Sequence, residues 1–260
     1  MLRNSPPDEA DIGALRRRAT RLRRHMLTMA RGQGQGYIGQ GLGIADVLAA
    51  LYFHELRYDP HNLAWADRDR FLLSTGHYSI ALWAALAEAG IIPVEELATY
   101  GADNSRLEMS TLDTTPGVEM IGGSLGHGLG QGIGQALGLR LDGSEARVFV
   151  ELSDGEMQEG STWEAAMSAS HFRLDGLVAL IDCNGIQADG PVVLDMEPVA
   201  DALADARARN GKPKAIVLRT LPGKGVPRIE TSEKSHFFRV DVAQWDGIIA
   251  EFENSVGASQ

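Results

Sequence analysis

The chain has 260 residues, of which 44% are hydrophobic and 23% charged, values typical of a globular protein with a sizeable buried core. Its 35 acidic residues outnumber its 24 basic ones and give a formal charge of −11, which argues against a dedicated nucleic-acid-binding protein. No apolar run approaches the ~18 residues that are needed to span a membrane, so no membrane segment is expected. Cys183 is the single cysteine, which excludes a disulfide within the chain and favours a cytoplasmic location.

The first ninety residues are predicted to form three helices and one strand. In chain order these are a helix from Ile12 to about Arg31, a buried helix over 44–57, a strand over 71–74 and a helix over 78–90. The first helix is rich in arginine. This pattern is typical of a solvated helix face, and an interface with an acidic partner is the alternative.

The remainder of the chain alternates between strands and helices. Residues 101–124 have no clear period and are predicted to form a functional loop, which a helix ending near Leu141 follows. Three apolar, β-branched segments are predicted strands, and two helical stretches separate them: strands 147–152, 177–182 and 214–220, and helices 160–172 and 196–209. Such alternation predicts an α/β fold, a mostly parallel sheet with helices on both faces.

Polar sequences follow two of the predicted strands. Asp154 comes directly after the strand 147–152, and Asn184 comes after 177–182. Because ligands of open parallel sheets bind at the carboxyl ends of the strands, we expect both side chains to project into one crevice. A carboxylate and an amide oxygen suit Mg²⁺ or Ca²⁺. Gly155 would allow a phosphate to approach the backbone, and the helix that begins near Gly160 would direct its positive end to the same place.

These residues carry a family resemblance. The segment 153–190 resembles the thiamine-diphosphate motif, which opens with Gly-Asp-Gly and closes with Asn-Asn. More narrowly, Asp154-Gly155-Glu156-Met157-Gln158-Glu159-Gly160, followed by Trp163-Glu164-Ala165-Ala166, is similar to transketolases. Further motifs extend this resemblance in order along the chain: 68–77, 116–119, 123–128, and 223–226 with His236.

The resemblance implies a single diphosphate-binding domain over residues 1–260 with the thiamine-diphosphate-binding fold, and a role for each matching residue. Asp154, Asn184 and the Ile186 carbonyl would hold the metal. Gly155 and His77 would contact the diphosphate side, with His236 nearby, and Gly123 and Leu125 would lie beside the aminopyrimidine. His77, His236 and Glu159 are the candidate catalytic residues, with Glu159 in a carboxylate network at a subunit interface.

The same resemblance implies a partner chain. In transketolases a pyrimidine-binding domain supplies the glutamate that activates the cofactor, and the segment after His236 is far too short for such a domain. We therefore expect a C-terminal, pyrimidine-binding partner chain in an α2β2 hetero-oligomer, acting on a small-molecule donor and acceptor.

Tyr37 and Ser110 depart from the family pattern, because transketolase-like sequences usually have histidines at both positions, lining the path to the donor. With an ordinary pKa near ~10, a tyrosine is a poor base at neutral pH. A serine carries no charge. These candidate substrate-side residues predict a specialised donor or acceptor, as in secondary metabolism, rather than ordinary sugar-phosphate transfer. Ser153 and Cys183 replace the usual glycine and first asparagine of the metal motif and are not expected to be ligands.

The sequence therefore predicts a subunit that transfers a two-carbon ketol or acyl unit from a ketose or 2-oxo donor to an acceptor. One alternative is the α-type subunit of a 2-oxoacid-decarboxylating complex that feeds a carrier protein, against which Gln158-Glu159-Gly160 argues. Another is a catalytically silent scaffold that binds the cofactor and stabilises a partner.

Overall fold

The structure is a computed structural model that describes residues 9–188, 190–191 and 210–258. The predicted helix over 196–209 lies outside the described residues. The helices, in chain order, are α1 (Glu9–Gln33), α2 (Ile38–Ala50), α3 (Ser79–Glu88), α4 (Gly128–Leu141), α5 (Gly160–His171), α6 (Pro227–Glu230) and α7 (Val242–Ala258). A π-helical turn, Leu51–Glu55, follows α2, and 3-10 turns occur at Gly76–Tyr78, Val94–Thr99 and Glu156–Gln158.

The strands, in chain order, are β1 (Gln35–Gly36), β2 (Arg70–Leu73), β3 (Val148–Ser153), β4 (Leu177–Cys183), β5 (Ile186–Gln187), β6 (Gly190–Pro191), β7 (Lys214–Arg219) and β8 (Phe238–Arg239). The chain divides into two compact units. The first contains residues 56–76 and 111–219, and the second contains the described residues up to 55, 77–110 and those from 220 onward.

The first unit is built on a four-stranded parallel sheet in the order β2-β3-β4-β7. Every residue of β3 is buried, and Ser153 at its end pairs in register with Asp182 of β4. The two strands therefore end side by side, which places the residues that follow them at the same edge of the sheet. The predicted α/β class with a parallel sheet is confirmed.

Helix α4 packs on this sheet through a close approach at Gly132. A Cβ placed on Gly132 would lie 2.4 Å from Cγ2 of Val150 on β3, so only a glycine fits without displacing the strand. Leu129 and Ile133 flank this contact and join the buried core of the unit, with Val148 and Leu152 of β3.

The second unit contains α1, α2, α3 and α7, and here one helix begins earlier than the sequence predicts. The sequence predicted a helix over 44–57, but α2 begins at Ile38. A Cβ on Gly39 would lie 2.1 Å from the carbonyl oxygen of Ser235, so the glycine serves a close contact inside a helix. Tertiary packing thus overrides the low helix propensity of glycine. Helix α7 and the pairing of β1 with β8 were not predicted; in α7, Trp245 and Phe252 are buried.

Within the described parts of the chain, no helix contains a stretch that is long and apolar enough to cross a lipid bilayer.

The contact at Gly132 makes a prediction about stability. Gly132→Ala should lower the free energy of unfolding by about 1–3 kcal/mol, since the added methyl overpacks the α4–β3 contact. Gly134→Ala on the same helix meets no atom within 4 Å and should raise stability by up to about 1 kcal/mol, as expected for a helix interior. Urea unfolding of both variants checks this, and equal effects of the two substitutions would contradict the packing described.

Candidate functional site

In the first unit, the predicted metal-binding residues meet at the carboxyl ends of β3 and β4. The side-chain Oδ2 of Asp154 accepts a hydrogen bond of 2.7 Å from the backbone N–H of Gly185, and Oδ1 accepts one of 2.9 Å from Gly155. The Oδ1 of Asn184 accepts a bond of 3.0 Å from the Ile186 N–H, while its amide nitrogen donates to Asp182 at 2.8 Å. Backbone hydrogen bonds thus fix the orientation of both side chains.

The chemistry of these donors fits a hard divalent cation. Each oxygen that accepts one N–H keeps lone-pair capacity for another partner. Asp154 is almost fully buried, and burial raises the pKa of its carboxyl, although the backbone N–H groups oppose that shift. A bound cation would also favour its charged form. Among the described residues no three His, Cys, Asp or Glu side chains group together as a metal site.

Gly155, directly after Asp154, packs close to the side chain of Gln187. A Cβ on Gly155 would lie 3.3 Å from Oε1 of Gln187, so a side chain would crowd the turn. Gly123 has a φ of 126°, a conformation that other residues rarely adopt, and it is exposed. Leu125 is partly buried. Gly123 lies in the loop 101–124, which was predicted to be functional, and Leu125 directly follows that loop.

Ser153 and Cys183, the two residues that depart from the metal motif, lie beside Asp154 and Asn184 in the chain. The Ser153 hydroxyl accepts a hydrogen bond of 3.1 Å from the Glu156 N–H and so caps the short 3-10 turn after β3. Cys183 is partly buried, and burial, together with the charges of Asp154 and Asp182, raises the pKa of its thiol to about 11. At neutral pH the side chain is therefore a thiol and not a thiolate.

Sequence reasoning assigned no role to Glu156, which is fully buried. Its Oε1 accepts hydrogen bonds from the Ser74 hydroxyl at 2.5 Å and from the Gly126 N–H at 2.7 Å. The same Ser74 oxygen accepts the Gly128 N–H at 3.0 Å. Glu156 thereby ties the end of β2, the loop before α4 and the turn after β3 together. All three segments lie within the motifs that carry the family resemblance, but their contacts cannot be read from the sequence.

Glu159 lies directly before α5 with an extended backbone, and its side chain is exposed. Trp163 and Met167 follow it at helical spacing, with 51% and 66% of their surfaces exposed. Glu159 therefore begins an exposed, largely apolar stripe along α5.

In the second unit, Tyr37, His77 and His236 lie together. The ring of Tyr37 packs edge-on against His77 at 4.9 Å, His236 at 5.5 Å and Phe237 at 5.0 Å between centroids. The rings of His77 and His236 lie 5.6 Å apart. The pairing of Gly36 with Phe238 in β1 and β8 accounts for this arrangement, since it places Tyr37 beside Phe237. We call Tyr37, His77, His236 and Phe237 the ring cluster.

Both histidines of the ring cluster favour the neutral form. Burial, followed by the charge of His236, lowers the pKa of His77 to about 4. Burial also lowers the pKa of His236. The side-chain amide of Gln40 forms a short hydrogen bond with Nδ1 of His236, and Gln40 is itself fully buried. Neutral imidazoles can donate through one nitrogen and accept through the other.

Gln40 and Phe237 were not predicted as site residues. Gln40 follows Tyr37 by three residues, close to one helical turn, and Phe237 adjoins His236, so both were detectable only as neighbours of predicted residues. Ser110 is partly buried and lies two residues after Glu108, whose carbonyl oxygen accepts hydrogen bonds from Ser79 and Trp83, both at 2.9 Å.

Comparison with known proteins identifies the family. Residues 16–196 match the family described as the transketolase thiamine diphosphate binding domain. A transketolase family protein of Sinorhizobium fredii, y4mO, is 49% identical over 96% of this chain and 100% of the relative. The 6-deoxy-6-sulfo-D-fructose transketolase subunit SqwG of a Clostridium species is 36% identical over 85% of this chain and 89% of the relative. An apulose-4-phosphate transketolase subunit of Actinobacillus succinogenes is 33% identical over 88% of this chain and 92% of the relative.

Solved structures give the same result. Transketolase from Campylobacter jejuni superimposes with a TM-score of 0.84 at 27% identity, over 94% of this chain and 43% of that chain. Transketolase from Leishmania mexicana gives a TM-score of 0.79 at 26% identity, over 94% of this chain and 44% of that chain. The chain thus spans less than half the length of these two solved transketolases. It spans the whole length of y4mO and about nine-tenths of the two relatives that are described as subunits. The chain belongs to the transketolase family, and its matched segment is the thiamine-diphosphate-binding domain.

Proposed function

We propose that this protein is the metal- and diphosphate-binding subunit of a split transketolase-like enzyme. It transfers a two-carbon ketol or acyl unit from a ketose or 2-oxo donor to an acceptor. The observation that carries the proposal is the set of oriented oxygen donors where β3 and β4 end, Asp154 and Asn184, which suits a cation that holds a diphosphate. The family match supports thiamine diphosphate as the cofactor.

In this proposal the Asp154 carboxylate, the Asn184 side-chain oxygen and the Ile186 carbonyl hold Mg²⁺, or Ca²⁺ in its place. Gly155 allows the diphosphate to approach, and Gly123 and Leu125 lie beside the aminopyrimidine. When bound, thiamine diphosphate supplies the nucleophilic carbon that breaks and forms carbon–carbon bonds. The protein orients it and manages protons.

His77 and His236 are proposed to carry protons on the substrate side. Both are neutral at pH 7 by the directions of their pKa shifts, so each imidazole has one nitrogen that donates and one that accepts. The Gln40 amide nitrogen donates to Nδ1 of His236, so the neutral ring carries its proton on Nε2, which donates to a substrate oxygen. His77 is then the histidine that accepts a hydroxyl proton. Neutral imidazoles also favour uncharged hydroxyl and carbonyl groups over a phosphate at this position.

The donor is proposed to be a specialised one. Tyr37 and Ser110 stand where relatives usually have histidine, and Phe237, which is 36% exposed, adds an apolar ring beside Tyr37. The names of two relatives that are described as subunits specify a sulfo-fructose and apulose 4-phosphate, so split members of the family differ in the sugars that they use.

A pyrimidine-binding partner chain is part of the proposal. Relatives that this chain covers almost fully are described as subunits, which supports assembly with a second chain. The stripe formed by Glu159, Trp163 and Met167 is a candidate contact surface, because exposed apolar patches mark association sites. The proposed assembly is an α2β2 hetero-oligomer in which Glu159 belongs to a carboxylate network at the interface. A cytoplasmic location stays a prediction.

The transketolase match favours ketol transfer over a 2-oxoacid-decarboxylating α-type subunit. A silent scaffold differs from the proposed enzyme in one respect: it binds cofactor together with its partner but turns over no donor.

The metal assignment predicts a loss of cofactor binding. The chain, purified alone and with a pyrimidine-binding partner, is titrated calorimetrically with thiamine diphosphate in the presence of Mg²⁺. Asp154→Ala and the milder Asp154→Asn should weaken binding at least about tenfold, since loss of a direct ligand costs more than loss of an outer partner.

Asp142→Ala, which removes an exposed carboxylate from the end of α4, is the matched control and should leave affinity unchanged. Unchanged affinity in both Asp154 variants would exclude the assignment, and turnover of a ketose donor by the complex would exclude the scaffold.

The substrate assignment predicts a gain of activity. The double variant Tyr37→His with Ser110→His should raise the rate on ordinary ketose phosphates, because it restores two groups able to exchange protons near neutral pH. Tyr37→Phe separates the effect of the hydroxyl from that of the ring. The measurement is kcat/KM of the complex on a ketose phosphate, and an unchanged value in the double variant would count against these positions as determinants of the donor.

The lowered pKa of His77 predicts a pH dependence of stability. An unfolded histidine titrates near ~6.5, so between about pH 6.5 and 4 the unfolded chain binds more protons than the folded one. The contribution of neutral His77 is therefore complete above that window and is lost as the pH falls through it. His77→Gln should make the free energy of unfolding fall less steeply over this range in urea titrations, whereas His61→Gln, at an exposed position, should not. Equal slopes for wild type and His77→Gln would refute the prediction.

A further inference from the structure

The arginines of α1 are not equivalent. Most of them have acidic partners in the second unit: Arg18 and Arg21 with Glu88, Arg23 with Asp46, Arg24 with Glu253 and Arg31 with Asp246. Within the described residues, Arg16 and Arg17 have no such partner, and both are exposed. The positive charge of the helix is thus left uncompensated at one place.

That place is a cavity of about 500 Å³. Its lining includes Arg16, Arg17, Thr20 and Arg23 of α1, together with Lys224 and Phe252. Arg16, Thr20 and Arg23 are spaced by four and three residues, so they share one face of the helix. Volumes of a few hundred cubic ångströms are typical of sites for small molecules.

The base of the cavity is an ordered ion cluster. Arg23, with only 8% of its side chain exposed, donates to both carboxylate oxygens of Asp46 at 3.3 and 2.8 Å. Lys224 donates to the same carboxylate at 2.7 Å. Burial alone would raise the pKa of Asp46, but the two cations outweigh it and lower that pKa, so the group is charged at neutral pH.

The charge balance of the cavity opposes that of the whole chain. Among the described residues, four cationic side chains and one carboxylate line it, which leaves three net positive charges in a protein of formal charge −11. Glu230, which accepts the Gly225 N–H at 2.7 Å, and Glu253, which pairs with Arg24, are the nearby acids already engaged. The local excess is therefore a property of this cavity.

Gly225 leaves part of the cavity surface uncovered. Gly225 has a φ of 90°, and a Cβ there would meet Cδ of Arg23 at 3.6 Å and Cε2 of Phe252 at 3.7 Å. The absent side chain leaves the surface over the buried Arg23 and Phe252 open. A ligand thus finds the ring of Phe252 beside the ion cluster, with Arg16 and Arg17 also lining the cavity.

We propose that this cavity binds a small anion with at least two negative charges, of the phosphorylated-metabolite type. Arg16 and Arg17 each offer the planar, multiple N–H donors that match phosphate oxygens. The cluster of the buried Arg23 with the partly exposed Asp46 and Lys224 adds to the positive field of the site, and Phe252 lies beside an apolar part of the ligand. The site is independent of the residues proposed for the metal and the ring cluster.

The test uses inorganic pyrophosphate as the probe. Calorimetric titration of the full chain is done in EDTA, so that metal-dependent binding does not contribute. Wild type should bind with a Kd below about 1 mM that weakens as salt is added. Arg16→Gln with Arg17→Gln should weaken binding at least about tenfold, and Thr20→Phe should do the same by filling the cavity without changing its charge.

Two controls separate this cavity from the strand-end metal site and from a general effect of positive charge. Arg140→Gln with Lys212→Gln removes the same charge from residues that do not line the cavity and should leave binding unchanged, as should Asp154→Ala. The absence of saturable binding by wild type, or binding that both cavity variants leave unchanged, would overturn the proposal. Loss of binding when the partner chain is added would also overturn it, since the cavity would then be a docking surface for an acidic segment of that chain.

Discussion

The buried carboxylate of Glu156 connects the segments that form the strand-end site. One oxygen accepts from the Ser74 hydroxyl and from the Gly126 N–H, and Ser74 in turn accepts from Gly128. Burial raises the pKa of Glu156 while these donors oppose the shift. Because Oε1 of this buried group makes both bonds, they fix the position of the loop that carries Gly123 and Leu125. The proposed cofactor contacts depend on that position.

The acidic character of the strand ends favours a cation. Glu151, Asp154, Glu156 and Asp182 are all buried in the first unit. Burial and the nearby charge of Asp182 raise the pKa of Glu151 well above its usual range. A divalent cation held by Asp154 would offset some of this repulsion, because an opposite charge lowers the cost of burying carboxylates. The ring cluster of the second unit, with its neutral histidines, is suited to exchanging protons with an uncharged substrate instead.

Features that depend on local pattern were predictable from the sequence. The alternation of apolar strands and helices indicated the parallel sheet, and the polar residues at strand ends indicated Asp154 and Asn184. Features that depend on distant contacts were not predictable. The start of α2 was placed too late, at residue 44, because the Ser235 carbonyl that requires Gly39 lies far away in sequence. The same reason applies to Glu156 and to Gln40, because their hydrogen bonds to Ser74 and to His236 join distant positions of the chain.

The central claim is that Asp154 and Asn184 hold the metal that binds the diphosphate. A crystal structure of the protein with thiamine diphosphate and Mn²⁺, which replaces Mg²⁺ and can be located by anomalous scattering, tests this directly. We predict one anomalous peak within about 2.5 Å of the Asp154 carboxylate and the Asn184 side-chain oxygen, with diphosphate oxygens completing the coordination. A peak elsewhere, or a diphosphate bound away from these residues, would contradict this claim.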